Sequence, residues 1–196
     1  MNHLHVAPRR WVLPLLSTAI ALASAAAAEE STAVDAAPTA AASIDPLFDC
    51  YRANSAWGLT YAGKVIARDG QVWTYSRRGK ALPLASKEGG RNSYEAADLA
   101  AKYEGGTATQ QIDAAVLTEH AALIEKAAAG TITSTDTGVR DAGGSSCHAY
   151  VFDAATRRYG DVELGSDGGV SDRRIGNDAA EAKLLLDWLR AVDVAH

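Results

Sequence analysis

The chain has 196 residues, a formal net charge of −5, and 47% hydrophobic against 22% charged residues. This length favours one folded domain, and the composition excludes a wholly disordered chain. The acidic balance argues against a nucleic-acid-binding protein, and two cysteines are too few for a four-thiolate zinc site.

The first 28 residues follow the pattern of a secretory signal peptide. Arg9 and Arg10 supply the positive charge, residues 11–23 form an apolar core, and the alanine run 25–28 suits cleavage. The apolar core is shorter than the ~20 residues of a membrane-spanning helix, so we expect no stable membrane anchor after cleavage. The arginine pair lacks the flanking residues of a twin-arginine signal, which favours the general secretory route. The chain is therefore predicted to be periplasmic or secreted.

Residues 29–43 contain mainly Ala, Thr, Ser and Pro, which bury too little apolar surface to offset chain entropy. We expect a disordered spacer there and a single folded domain over residues 44–196. Cys50 and Cys147 lie far apart in that domain. In an exported protein such a pair predicts one structural disulfide, because a reactive thiol pair usually has close spacing such as Cys-x-x-Cys.

The clearest local pattern is a β-hairpin. Two strand-like runs, 59–67 and 71–76, flank Asp69-Gly70, a dipeptide that suits a two-residue type I′ turn. That loop would pair Ile66 with Trp73 and Lys64 with Tyr75, and all four side chains would share one face.

Two helices are predicted next in the chain. The first begins at Asn92, with Glu95 as the partner in a capping box, and ends at Gly105. The second spans residues 110–129, where apolar side chains recur at helical spacing.

A second hairpin is predicted from the alternating runs 147–153 and 158–165, with a short edge strand at 170–173. A last helix begins with Asp178 and Glu181 as a capping box. Its apolar stripe consists of Leu185, Trp188, Leu189 and Val192. The order β-β-α-α-β-β-(β)-α predicts an α+β fold: an antiparallel sheet of four to five strands, in two hairpins, packed by three helices and closed by one disulfide.

No nucleotide-binding glycine loop, zinc-protease helix or nucleophile-elbow motif occurs in the chain. His120 lies on the apolar stripe of the second predicted helix, which favours a packed histidine with one hydrogen bond. The alternative is a general base assisted by Glu119 or Asp113. His148, on a predicted strand, is the other candidate for a general base that acts with a carboxylate.

Two further segments contain chemically active residue types. Ser145 and Ser146 come just before His148, but sequence neighbours seldom form a nucleophile–base pair, so a flexible loop entering a strand is favoured. An acidic group around a glycine-rich turn does not have the calcium spacing of an EF-hand and indicates a solvated face. That group consists of Asp161, Glu163, Asp167 and Asp172.

The best candidate for recognition is the segment after Cys50. It combines residue types common in protein and glycan contacts. The candidate binding residues are Arg52, Asn54, Ser55, Trp57 and Tyr61. The alternative is that Trp57 anchors the core while Asn54-Ser55 forms a turn.

We therefore expect a non-enzymatic exported binding or interaction domain with no catalytic residue, metal or cofactor. Its partner would be an extracytoplasmic protein, such as an enzyme that it inhibits, or a glycan. Two alternatives remain: a small periplasmic hydrolase that uses His120 or His148 with a carboxylate, and an envelope stability protein without a discrete site.

Overall fold

The computed structural model describes residues 44–54, 58–83, 85–88, 91–136, 143–168 and 173–192. The predicted signal peptide and spacer lie outside these ranges. Within them the chain forms ten strands and four helices. The strands are β1 Pro46–Asn54, β2 Thr60–Ala67, β3 Gln71–Arg78, β4 Ser86–Glu88, β5 Arg91–Glu95, β6 Thr107–Gln111, β7 Ile132–Asp136, β8 Gly144–Asp153, β9 Arg158–Gly168 and β10 Arg173–Asn177. The helices are α1 Ala96–Lys102, α2 Ala114–Ala121, α3 Ile124–Ala128 and α4 Ala180–Ala191.

The prediction of a small sheet of four to five strands is wrong. One large antiparallel sheet has the strand order β4-β5-β9-β8-β1-β2-β3-β6, and β10 joins β7 to the end of β9. The unpredicted strands β4, β5, β6 and β7 are short and mostly polar. They lack the apolar alternation that identifies a half-buried strand, and ladder hydrogen bonds to neighbouring strands hold them in place.

The first helix starts later than predicted. Residues 91–95 form β5, in which Tyr94 pairs with Tyr159 of β9. Helix α1 then begins at Ala96, and the backbone N–H of Glu95 donates to the Asp98 carboxylate at 3.2 Å. A capping box is therefore present, but Glu95 is its first member and not its last.

The single helix predicted over residues 110–129 is also wrong. Gln110 and Gln111 end β6, which pairs with β3. Asp113 then caps α2 by accepting hydrogen bonds from the backbone N–H groups of Ala115 and Val116. Helix α3 is a separate short helix.

The loop between β2 and β3 contains three residues, 68–70, and not the predicted two. Gly70 has a φ of 85°, a left-handed conformation that glycine adopts without a Cβ clash. The backbone N–H of Gln71 donates to Asp69 Oδ1 at 2.9 Å. This is the three-residue type of hairpin, with a glycine in the left-handed region as its last loop residue.

The longer loop shifts the strand register by one residue. Val65 lies opposite Trp73 and Ile66 lies opposite Val72, so the predicted pairing of Ile66 with Trp73 is wrong. Because side chains alternate along a strand, this shift moves Trp73 and Tyr75 onto the same face as Val65.

The two faces of the sheet have different compositions. The face that we call the helix face packs against α2, α3 and α4, and its core includes Phe48, Ile66, Val72, Ala149, Val162, Leu185 and Leu189. The other face packs against α1, and its core includes Val65, Tyr75, Leu99, Tyr103, Tyr150 and Tyr159. We call it the tyrosine face.

Helix α4 follows the predicted stripe but not the predicted cap. Leu185 and Leu189 are buried and Trp188 packs edge-on against Phe48, with ring centroids 5.2 Å apart. Asp178 does not cap the helix; its carboxylate accepts a hydrogen bond from the backbone N–H of Thr131 at 2.7 Å.

Candidate functional site

Of the predicted recognition residues, Arg52, Asn54 and Tyr61 lie within the described part of the chain. Arg52 lies opposite Ala62 and Tyr61 lies opposite Ala53, which places Arg52 and Tyr61 on opposite faces of the sheet. Asn54 ends β1 opposite Thr60. Ser55 and Trp57 lie outside the described residues.

The predicted disulfide is confirmed. Cys50 and Cys147 lie directly opposite each other on β1 and β8, with their Cα atoms 4.1 Å apart, and their sulfurs are bonded. The bond covalently links two neighbouring strands on the helix face. Disulfides are typical of proteins from oxidising compartments.

His120 is a packing residue. Its ring stacks on Trp188 of α4 with a centroid distance of 4.0 Å, and its Nδ1 lies 2.8 Å from the backbone oxygen of Val116. Asp113, the carboxylate proposed as its partner, caps the start of α2. These contacts match the favoured expectation of a packed histidine with one hydrogen bond.

His148 belongs to a hydrogen-bonded group on β8 and β9, which we call the polar cluster: Ser146, His148, Asp161 and Glu163. His148 Nδ1 lies 2.9 Å from Asp161 Oδ1, and His148 Nε2 lies 2.8 Å from Ser146 Oγ. Ser146 Oγ also donates to Glu163 Oε1 at 3.1 Å. His148 and Asp161 are buried, whereas Glu163 keeps 20% of its side chain exposed.

A bulge in β9 brings these side chains together. Cys147 lies opposite Gly165, but the next residue, His148, lies opposite Glu163, so Leu164 is an extra residue on β9. Bulges of this kind redirect neighbouring side chains and are common next to functional sites. Here Leu164 remains in the core of the helix face, while Glu163 faces His148 and Ser146 on the tyrosine face.

The pKa values in the polar cluster diverge. Burial disfavours the imidazolium of His148, but the charge of Asp161, its hydrogen bond and the charge of Glu163 outweigh burial and raise the pKa of His148 to about 9. Burial alone would raise the pKa of Asp161. The charge and the hydrogen bond of His148 outweigh burial and lower this pKa. Burial raises the pKa of Glu163 above its ordinary value.

These pKa values decide the direction of the hydrogen bonds at neutral pH. A protonated His148 donates from both ring nitrogens, to Asp161 and to Ser146. Ser146 Oγ then accepts from His148 and donates to Glu163. The distances match a Ser-His-Asp triad, but the imidazolium has no lone pair to take the serine proton.

Beside the polar cluster lies a buried ion pair between Lys102 and Asp49. Lys102 Nζ donates to Asp49 Oδ2, and Tyr75 donates to Asp49 Oδ1 at 2.8 Å. Tyr103 donates to Asp49 Oδ2 at 3.2 Å. Burial and the charge of Asp49 raise the pKa values of these tyrosines, so they remain hydrogen-bond donors.

Tyrosine is concentrated here. All seven tyrosines of the chain lie on or against the tyrosine face: Tyr51, Tyr61, Tyr75, Tyr94, Tyr103, Tyr150 and Tyr159. Several pack edge-to-face, including Tyr51 with Tyr61 at 6.0 Å and Tyr75 with Tyr103 at 5.1 Å. Such packing orders the rings and keeps their hydroxyl groups in fixed positions.

A cavity of about 350 Å³ opens on this face. The polar cluster contributes to its wall together with Tyr51, Tyr61, Tyr94, Asn92, Ser145 and Ser166. The volume is within the range of small-molecule sites, in which aromatic walls and a few fixed polar groups set affinity and orientation.

Part of this site was missed at the level of sequence. The predicted solvated face is wrong for Asp161, which is 6% exposed and paired with His148. Asp167 does lie at the surface, where it pairs with Arg174 at 3.2 Å, and Asp172 lies outside the described residues. The available signal was the spacing of two on adjacent strands, which places Ser146 with His148 and Asp161 with Glu163 on one face.

In the described part of the chain, no group of three or more His, Cys, Asp or Glu side chains is arranged to hold a metal ion. None of the described helices is long and apolar enough to cross a membrane. Comparison with protein-family models, curated proteins and solved structures finds no significant match for this chain. Its function must therefore be inferred from its own geometry.

Proposed function

We propose that this protein is an exported, non-enzymatic binding domain that holds a glycan in the cavity of the tyrosine face. The observation that carries the proposal is the cavity itself, in which tyrosine rings and a pre-formed polar cluster line one opening of about 350 Å³. The predicted signal sequence and the disulfide support a site outside the cytosol.

A glycan fits the chemistry of this wall. Sugars have apolar C–H faces, which pack on rings such as Tyr61 and Tyr94, and hydroxyl edges, which need both donors and acceptors. Glu163 and Asn92 provide planar hydrogen-bonding groups at the same opening. The charges of Asp161 and His148 offset each other, and Glu163 adds a carboxyl group that can bond to sugar hydroxyls at the opening.

The proposal is tested by screening the protein on an array of immobilised mono- and oligosaccharides. We expect selective binding by the unmodified protein, and a loss of about tenfold or more in Glu163→Gln and Tyr94→Ala, which remove a carboxyl group and a ring. Glu104→Gln makes the same chemical change as Glu163→Gln on an exposed residue outside the cavity and should bind normally. Absence of any glycan binding, or normal binding by both cavity variants, would refute the proposal.

A second candidate function is hydrolysis, which the Ser146–His148–Asp161 distances favour. At neutral pH the raised pKa of His148 opposes it, because a protonated imidazole is not a general base. A fluorophosphonate probe separates the two functions. Labelling of Ser146 at pH 7 that disappears in Ser146→Ala would establish the hydrolase, whereas a binding domain should remain unlabelled.

A further inference from the structure

A second groove lies on the helix face, on the opposite side of the sheet from the tyrosine cavity. It encloses about 630 Å³. The disulfide between Cys50 and Cys147 forms part of its floor, and Leu189 and Val192, at the end of α4, contribute apolar wall. The groove thus combines an apolar floor with an opening to solvent.

The charged side chains in this groove are all cationic. Arg52, Lys64 and Arg190 line it, and the described lining residues include no carboxylate. Lys64 lies opposite Cys50 on the neighbouring strand, which makes it the diagonal neighbour of Arg52, at a separation of roughly 7–8 Å. Lys64 Nζ donates to the backbone oxygen of Val192, which holds this charge against the end of α4.

The arginines are available to a ligand. Both Arg52 and Arg190 are exposed, and within the described residues neither is paired with a carboxylate. Three cationic side chains in the described lining of one groove are notable in a chain whose net charge is −5. An anion placed between the arginines would accept charge-assisted hydrogen bonds.

We propose that this groove binds a single-chain amphiphilic anion, with its carboxylate between Arg52 and Arg190 and its hydrocarbon chain along Leu189, Val192 and the disulfide. Charge complementarity selects the head group, and the apolar floor selects the tail. The proposed ligand is a free monomer, whose single chain would lie within the groove of about 630 Å³. This site is independent of the glycan cavity, which lies on the other face.

The test uses dodecanoate below its critical micelle concentration as the probe, with dodecyltrimethylammonium as the matched cation. Calorimetry should show saturable dodecanoate binding to the unmodified protein and roughly tenfold weaker binding to the Arg52→Gln/Arg190→Gln double variant. The Arg157→Gln/Arg173→Gln double variant loses the same charge at exposed positions outside the groove lining and should bind like the unmodified protein.

The site of binding is read from NMR shifts of methyl groups. Dodecanoate should shift the methyl signals of Leu189 and Val192. The proposal is overturned if dodecanoate does not bind, if the cation binds equally well, or if Arg52→Gln/Arg190→Gln binds normally. Binding only to vesicles of anionic phospholipid, with none to the monomer, would also overturn it, because that result would identify a membrane-surface patch.

Discussion

The rings of Tyr51 and His148 lie parallel, within 3° of each other, with their centroids 5.8 Å apart. The same Tyr51 ring has Lys102 Nζ 4.7 Å from its centroid. Tyr51 therefore contacts two cationic side chains and connects the Lys102–Asp49 pair to the polar cluster. A tyrosine ring stabilises nearby cations through its negative face, so both charged groups depend on the same aromatic side chain.

The first prediction concerns the pH dependence of stability. The pKa of His148 is raised to about 9 in the folded protein from an ordinary value of 6.5. The contribution of protonated His148 to the free energy of unfolding is therefore fully present below pH 6.5 and is lost as the pH rises through 9. The difference between the two pKa values corresponds to an upper limit of about 3 kcal/mol in the free energy of unfolding. Urea denaturation between pH 6 and pH 9.5 should show the decline.

His148→Gln should remove most of that decline, and His120→Gln, which changes the packing histidine, should leave it in place. The ionisation of Tyr75 and Tyr103 changes the free energy of unfolding only above this pH range, because their raised pKa values lie above 10. An unchanged decline in His148→Gln would show that another group titrates here.

The second prediction concerns the buried ion pair. Asp49→Asn leaves the Lys102 ammonium buried without its counter-charge, because Lys102 is only 4% exposed. We expect a loss of roughly 3–5 kcal/mol in the free energy of unfolding, measured by chemical denaturation. The double variant Asp49→Leu/Lys102→Met leaves no unpaired charge. Its loss in the free energy of unfolding should therefore be smaller than the sum of the losses in Asp49→Leu and Lys102→Met.

The surface pair between Lys183 and Asp187 provides the comparison. Its side chains are 74% and 56% exposed, and Lys183→Ala should cost no more than about 0.5 kcal/mol. Equal losses at the surface and in the interior would contradict the assignment of a desolvated pair on the tyrosine face.

The third prediction concerns the disulfide. Its half-cystines are separated by 97 positions, and in the chain-entropy model closing such a loop stabilises the folded state by roughly 4–5 kcal/mol. The Cys50→Ala/Cys147→Ala variant should lose stability up to that limit. Thiol titration of the denatured, unreduced protein should detect no free thiol, and two thiols per chain would show that the bond does not form.

The fourth prediction concerns Gly63, which lies opposite Tyr51. A Cβ at position 63 would lie 2.5 Å from the backbone oxygen of Cys50 and 2.7 Å from Tyr51 Cβ. Gly63→Ala must therefore push β1 and β2 apart, and we expect a loss of about 2 kcal/mol or more. Gly160→Ala in β9 is the matched control, because its nearest neighbour would be at 3.7 Å, an ordinary contact. Thermal unfolding of both variants should show a lower Tm for Gly63→Ala.

The long elements were largely predictable. The apolar stripe of α4, the strands of the first hairpin and the pairing of the two cysteines follow from periodicity and from cysteine number. The register of that hairpin was not predictable, because Asp69-Gly70 is compatible with both a two-residue and a three-residue loop. The predicted two-residue loop is one residue too short, and it therefore places Trp73 and Tyr75 on the wrong face of the sheet.

The short strands and the polar cluster were missed for a different reason. Residues 91–95 have little strand character of their own and form β5 because β9 offers a free edge. Likewise, the contact of Glu163 with Ser146 depends on the bulge at Leu164, which is a property of two paired strands. A pattern within one segment contains no information about its partner's register.

Strand β1, the first of the described strands, lies in the interior of the sheet between β2 and β8. Its partner β2 follows directly, but β8 begins only at Gly144, so one edge of β1 stays open until most of the chain has been synthesised. Pairings between such distant segments form slowly, and an open edge containing Leu47 and Phe48 invites association with other nascent chains. A holding chaperone that shields residues 46–54 should therefore raise the yield of native protein more than substitutions that stabilise the finished fold.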